Sequence, residues 1–308
     1  MKNILKWVKR IFITFLSLII VILIGLYFTF YFWKKDLAKN LPQDSQVIST
    51  DKGDIEFRLL GNSDKYMLMI HGTPGSVHVS EGESFVDEGL SVLGVSRPGY
   101  YQTPLSSGGT PKEEAALYKS LLDKLNIDAV YVNGISGGGP VSIKFAIDYP
   151  DRVAGLILRA AVSEKISEPT DNEGLLSSFF QTEFGTWLGI QIAKTQMAED
   201  EKAKINWIVE RGFFPFTSIE DGLDNDNNEF TNLKDLELEK ITAPTILLHG
   251  DKDNNVPFSH AQNAAKRIPN ATLSELKGKD HYVFFRSYGD TVNTEIVRFI
   301  ESIEAKEK

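Results

Sequence analysis

The sequence predicts an α/β protein: a mostly parallel sheet with helices on both faces, interrupted by one helical insertion and preceded by a transmembrane helix. Three observations predict it. From Tyr66 onward, apolar runs of strand length alternate with stretches of helical periodicity. The alternation lapses between Val162 and about Leu233, then resumes. Residues 11–33, "IFITFLSLIIVILIGLYFTFYFW", carry no charge.

At a rise of ~1.5 Å per residue, a helix over residues 11–33 spans a hydrocarbon core ~30 Å thick. Tyr27, Phe28, Phe30, Tyr31, Phe32 and Trp33 crowd its far end, as an interfacial belt does. The rival is a cleaved signal peptide, whose apolar region is normally ~7–15 residues long and ends in small side chains. This run is longer and its end is bulky, which favours an uncleaved anchor in the cell membrane. Lys2, Lys6, Lys9 and Arg10 precede it; Lys34, Lys35 and Lys39, tempered by Asp36, follow it. The positive-inside rule then places the body outside the cytoplasm. Expected boundaries are a basic segment over 1–10, the anchor over 11–33, a linker over 34–45, a core formed by 46–161 and 234–308, and the insertion over 162–233.

The body reads in order. "QVIST" and "DIEFRLLG" are strand-like, with a turn at Asp51-Lys52-Gly53. "YMLMIHG" (residues 66–72) and "LSVLGVSRPG" (90–99) are continuous apolar runs, as buried strands are. Residues 111–127 begin with proline and early acids and keep a helical period. "DAVYVNGIS" is a strand, "GGPVSIKFAIDYP" a helix, and residues 153–161 a strand again. "APTILLHG" (243–250), "PFSHAQNAAKRI", "ATLSELKG" and "TVNTEIVRFIESIEA" complete a strand–helix–strand–helix ending.

Composition removes several function classes. The chain has 308 residues, a net charge of −9 and no cysteine. Disulfides, thiol catalysis and thiolate metal sites are excluded. Residues 1–40 sum to +6, leaving −15 on the body. An acidic body argues against nucleic acid as a partner.

In an open α/β sheet, ligands bind at the carboxyl ends of the strands. "GISGG" (134–138) fits G-x-S-x-G, a sharp strand-to-helix turn that exposes Ser136 at a helix N-terminus. A serine hydroxyl needs a base, and the base an orienting acid. Asp253 and His281 follow two later strands, in the expected order serine, acid, histidine. "HGTPG" (71–75) adds the backbone N–H of Thr73, which with that of Gly137 suits an oxyanion hole. Each such donor is worth ~3–4 kcal/mol in known cases.

On these residues the chain resembles the α/β-hydrolase superfamily, in its esterase and proline iminopeptidase-like branch. "HGTPG", "SRPGYYQTP", "GISGGG", "HGDKDNNVP" and "GKDH" fall in that family's order, from about Gln46 to the C-terminus. The resemblance implies that the insertion is a cap. Dehalogenases and epoxide hydrolases of the family have an aspartate nucleophile where this chain has Ser136. Relatives with an "RPGYG" pattern have glycine where this chain has Tyr101, which either narrows the substrate pocket or fills space.

Alternatives for the acid are Asp251 and Glu164. His78 and His260 read as surface or loop histidines, His71 and His249 as packed ones, and Asp280 as a solvated neighbour of His281. Phe180, Trp187 and Trp207 in the insertion are candidates for an apolar substrate pocket, with ordinary packing as the alternative. "EDGLDNDNNEF" (220–230) reads as a solvated loop. A calcium loop counted from Asp224 would need glycine where Glu229 stands. An acidic site for a peptide's amino group is the other reading. The expected activity is cleavage of a carboxylic ester by a membrane-anchored serine hydrolase, which requires no metal or cofactor. The alternatives are an aminopeptidase and a non-catalytic hydrolase-fold module for binding or signalling.

Overall fold

Each apolar run of the body becomes a strand of one eight-stranded sheet in the computed structural model, which describes residues 2–40, 43–79, 82–166, 179, 182–285 and 289–307. The strands are β1 (Gln46–Ser49), β2 (Asp54–Leu60), β3 (Tyr66–Ile70), β4 (Ser91–Val95), β5 (Val130–Ile135), β6 (Val153–Arg159), β7 (Thr245–Gly250) and β8 (Ala271–Leu276). Their order is β1-β2-β4-β3-β5-β6-β7-β8. β1 and β2 are antiparallel to their neighbours; the pairings from β4 to β8 are parallel. Parallel neighbours need crossovers, and the helical segments supply them.

The described helices are α1 (Lys2–Asn40), α2 (Gly82–Asp87), α3 (Pro111–Lys124), α4 (Gly139–Asp148), α5 (Glu183–Lys194), α6 (Glu199–Gly212), α7 (Glu220–Thr231), α8 (Ser259–Arg267) and α9 (Gly289–Glu307). The start of α3 shows why a helix begins where it does. Thr110 Oγ1 accepts the Glu113 N–H at 3.3 Å, and Glu113 Oε2 accepts the Thr110 N–H at 3.0 Å, with Pro111 at the first helical position.

Successive side chains of a strand point to opposite faces, so each central strand feeds two cores. Leu68, Ile70, Val132, Leu156, Leu158 and Leu247 pack with Leu117 and Leu121 of α3, Phe145 of α4 and Ala264 of α8. Met67, Met69, Tyr131, Ile157, Ile246 and Leu248 pack with Phe85 of α2 and Val292, Ile296 and Ile300 of α9. Helices therefore cover both faces, as expected.

The chain divides into two units, residues 1–41 with 171–196, and residues 42–170 with 197–308. The segment expected as the insertion is shared between them: α5 belongs to the first, α6 and α7 to the second. Within the first unit, Tyr27, Phe30 and Trp33 of α1 meet Phe184 and Trp187 of α5, with ring centroids 5.5–6.2 Å apart. Lys34 pairs with Glu183 beside them. Over residues 6–37, α1 is long and apolar enough to cross a membrane, a property that signal sequences share. The helix extends beyond the apolar run because its flanks hold lysines, leucines and alanine, all good helix formers.

The acidic stretch departs from expectation. Residues 220–231 form α7 rather than a solvated loop, and Gly222, Asp226 and Phe230, spaced by four, face inward.

Leu68 is wholly buried in the central strand β3. Leu68→Ala should therefore lower unfolding stability by about 2–5 kcal/mol. A urea midpoint unchanged from wild type would contradict this packing.

Candidate active site

Three loops at the carboxyl ends of β5, β7 and β8 bring Ser136, Asp253 and His281 together. The first is the β5–α4 reversal. Ser136 adopts φ +51°, a left-handed conformation that non-glycine residues rarely take. Its neighbours have no room for side chains. A Cβ on Gly134 would lie 2.1 Å from Ser142 Oγ, and one on Gly138 2.7 Å from the carbonyl oxygens of Ile70 and His71. The glycines of the motif thus let the turn press against the end of β3, leaving Ser136 half-exposed.

His281 Nε2 lies 3.0 Å from Ser136 Oγ, and His281 Nδ1 lies 2.7 Å from Asp253 Oδ2. An ionised carboxylate only accepts, so Nδ1 carries the proton and Nε2 is left to accept from the serine. Asp253 is held on its other sides as well. Its Oδ1 accepts the N–H groups of Asn255 and Val256, both at 2.9 Å. His249 Nε2 donates to the Val256 carbonyl at 2.9 Å and lies 3.2 Å from Asp253 Oδ2. Burial pushes the Asp253 carboxyl up. The hydrogen bonds from His249 and His281, the His281 charge and the Val256 N–H outweigh it, and hold the group well below the usual carboxylate range.

Thr73 follows β3, and its side chain packs on Gly137: a Cβ on Gly137 would lie 2.1 Å from Thr73 Oγ1. Gly137 is the second residue of the 3-10 turn Ser136–Gly138, where the first N–H groups have no partner within the turn.

The other candidates fall as follows. The Tyr101 hydroxyl lies 2.9 Å from the carbonyl oxygens of both Arg211 and Phe214, and its N–H donates to the Ser218 carbonyl. Trp207 is half-buried on α6, with the Arg211 guanidinium 5.2 Å from its ring centroid. Trp187 packs in the first unit against Phe30 and Trp33. Phe180 lies outside the described residues. Of the alternative acids, Asp251 accepts the Gly278 N–H and Glu164 accepts from Asn263. Asp280 accepts the Tyr282 N–H. Among the described residues, no three His, Asp or Glu side chains group as metal donors.

Two histidines expected at the surface or in loops are buried. His78 sits in the 3-10 turn Val77–Val79. His260 accepts the Ser163 N–H at Nδ1, at 3.2 Å, tying the exit of β6 to α8. His71 meets the packing expectation: Nδ1 donates to the Gly72 carbonyl at 2.7 Å, and Nε2 accepts the Arg97 N–H at 2.9 Å.

Sequence reasoning missed a buried charge network beside Thr73. The Arg97 guanidinium donates to both Asp226 oxygens at 2.8 and 2.9 Å, and to Glu114 Oε1 at 3.0 Å. Tyr100 OH donates to Asp226 Oδ2 at 2.6 Å, the Thr73 hydroxyl donates to the same oxygen, and Tyr118 donates to Glu114. Burial raises the Glu114 carboxyl, with Arg97 opposing. Arg97 and Asp226 are separated by 129 positions, so no local pattern links them. The available signal was the spacing of Gly222, Asp226 and Phe230, which marks a helix face with a carboxylate on it.

Chemically, this arrangement can move a proton from Ser136 Oγ to an imidazole whose other nitrogen is bound to a buried carboxylate. The N–H of Gly137 directly follows the serine at the start of its turn.

The family model for the alpha/beta hydrolase fold matches residues 65–288. A hydrolase of 2-hydroxy-6-oxononadienedioate and 2-hydroxy-6-oxononatrienedioate from Cupriavidus pinatubonensis is 26% identical over 83% of this chain and 95% of its own. An alpha/beta hydrolase fold protein from Nakamurella multipartita superposes with a TM-score of 0.70 at 30% identity, covering 83% of this chain and 98% of its own. A thermophilic esterase from Thermogutta terrifontis does so at 0.68 and 20% identity, covering 84% and 98%.

The histidines set a pH dependence. Burial, then the Arg97 charge, lowers His71 to about 3; burial, then His249, lowers His260 to about 4. Both are bases depressed below the unfolded value of ~6.5. Their stabilising effect is complete above pH ~6.5 and is lost as pH falls toward 4, because only the unfolded chain takes up the protons. Each removes about 1.4 kcal/mol per pH unit in that window. Urea midpoints at pH 7.5 and pH 5 should show the loss; equal midpoints would refute neutral, buried histidines.

Proposed function

Since this chain belongs to the alpha/beta hydrolase fold family, we propose that it is a membrane-anchored serine hydrolase cleaving a carboxylic ester through an acyl-enzyme. The observation that carries this reading is the pair of contacts on His281: 3.0 Å from Nε2 to Ser136 Oγ and 2.7 Å from Nδ1 to Asp253.

The reaction follows from that geometry. Ser136 Oγ attacks the ester carbonyl carbon while its proton passes to His281 Nε2. The carbonyl π electrons become an oxyanion, which accepts from the Thr73 and Gly137 N–H groups. Asp253 stabilises the imidazolium and keeps its own proton affinity too low to take the proton. Collapse of the tetrahedral species breaks the bond to the alcohol oxygen, which leaves with the proton from Nε2. Water then attacks the acyl-enzyme by the same route, releasing the acid and restoring Ser136.

Two observations support the finer points. An aminopeptidase needs a carboxylate free to receive an amino group. In the acidic stretch of α7, the buried carboxylate, Asp226, is committed to Arg97, Tyr100 and Thr73 and so is not available to an amino group. The aromatic packing of Tyr27, Phe30 and Trp33 on α5 favours retention of α1 as an anchor, since a cleaved leader takes no part in mature packing. In the same reading the insertion over 162–233 serves as the cap, with Tyr101 and Trp207 at its contact with the core.

A fluorophosphonate probe should label the full-length protein in detergent and fail to label Ser136→Ala. His281→Gln should lower kcat by ~10⁴-fold or more. Nitrophenyl esters should be cleaved and aminoacyl-naphthylamides spared; the reverse preference would replace the esterase reading with the aminopeptidase one. Protease added to intact cells should digest the body. Protection of the body in cells lacking any outer barrier would reverse the topology.

A further inference from the structure

The proposed oxyanion donors are two backbone N–H groups, and the side chains behind both come from one helix. Asp226 and Phe230 lie one turn apart on α7. Asp226 accepts the Thr73 hydroxyl proton. Phe230 reaches Gly137: a Cβ on that glycine would lie 3.0 Å from Phe230 Cζ, as well as 2.1 Å from Thr73 Oγ1. The Phe230 ring packs further with Val162 and Val256. The Val162 N–H donates to the Ser136 carbonyl at 2.9 Å, and the Val256 N–H to Asp253.

Resting on the serine-hydrolase reading, we propose that α7 is the positioning element of the oxyanion hole: Asp226 fixes Thr73 through its hydroxyl, and Phe230 backs Gly137. Thr73 needs such a hold. It lies in a loop past the end of β3, outside any strand ladder. A donor stabilises an oxyanion only when it sits ~2.7–3.1 Å from where that oxygen forms. The hydroxyl bond to a fixed carboxylate tethers Thr73 to α7 and so restrains the loop backbone that carries its N–H.

A bare carboxylate behind an oxyanion hole would repel the charge that develops there. Arg97 removes that objection. Its two donors take both Asp226 oxygens, so the anchor is an ion pair rather than a free negative charge.

Thr73→Val tests the idea on the full-length protein. It removes the hydroxyl but keeps the β-branch and the backbone N–H. Asp226 retains Arg97 and Tyr100 as partners, so no carboxylate is orphaned and the melting temperature should stay close to wild type. The expected result is a roughly tenfold fall in kcat with KM little changed. Affinity for a trifluoromethyl ketone, which binds as a tetrahedral oxyanion adduct on serine, should fall by the same factor. Thr73→Ser, which keeps the hydroxyl, should restore most of both. Wild-type kcat and ketone affinity in Thr73→Val would overturn the positioning role, as would a Thr73→Ser no better than Thr73→Val. Fluorophosphonate labelling separates the two levels: a labelled wild type with an unaffected Thr73→Val overturns the positioning role alone, while an unlabelled wild type overturns the hydrolase reading with it.

Discussion

A guanidinium taken out of water costs several kcal/mol unless its donors are matched, and Arg97 is matched from two directions. Glu114 on α3 takes one side and Asp226 on α7 the other, while Tyr118 and Tyr100 complete the two carboxylates. The residue sits just past β4, so the network joins the sheet, a covering helix and the inserted segment at one point. Its geometry is demanding: a shift of α7 by an ångström would leave a buried charge half-paired. The register of α7 against the sheet follows from this one requirement, and the loop bearing Thr73 is tied to the same carboxylate.

The five histidines show how environment divides one residue type into different tasks. His71 and His260 each accept a backbone N–H at one ring nitrogen, a bond that survives only while the ring is neutral. His249 spends Nε2 on the Val256 carbonyl, within reach of Asp253. His281 alone has one nitrogen on a carboxylate and the other facing a hydroxyl. Position in the sequence separates the packed histidines from the base, but it misplaces His78 and His260, which are buried; the finer distinction lies in what each nitrogen meets.

Much of the fold was legible because its causes are local. The apolar runs at residues 66–70, 130–135 and 245–250 have the length and continuity of buried parallel strands, and Thr110-Pro111 with Glu113 announces α3. The candidate triad was legible for a related reason: its three members each follow a strand, and parallel strands deliver their ends to one edge. What stayed hidden depends on pairs far apart in the chain. An acidic, asparagine-rich stretch such as 220–231 has poor helix propensity and reads as solvated. It becomes α7 because Asp226 finds Arg97 and Phe230 finds Val162 and Val256, contacts that no window of sequence contains. Likewise, the burial of His260 follows from Ser163, 97 positions earlier.

The aromatic seam in the first unit bears on how the protein can be handled. Phe184 and Trp187 rest on Tyr27, Phe30 and Trp33, and Trp187 is only 5% exposed. Trimming away residues 1–40 to obtain a convenient aqueous preparation would strip that cover. It would exchange a greasy tail for a greasy face, and α5 would become the sticky part of the molecule.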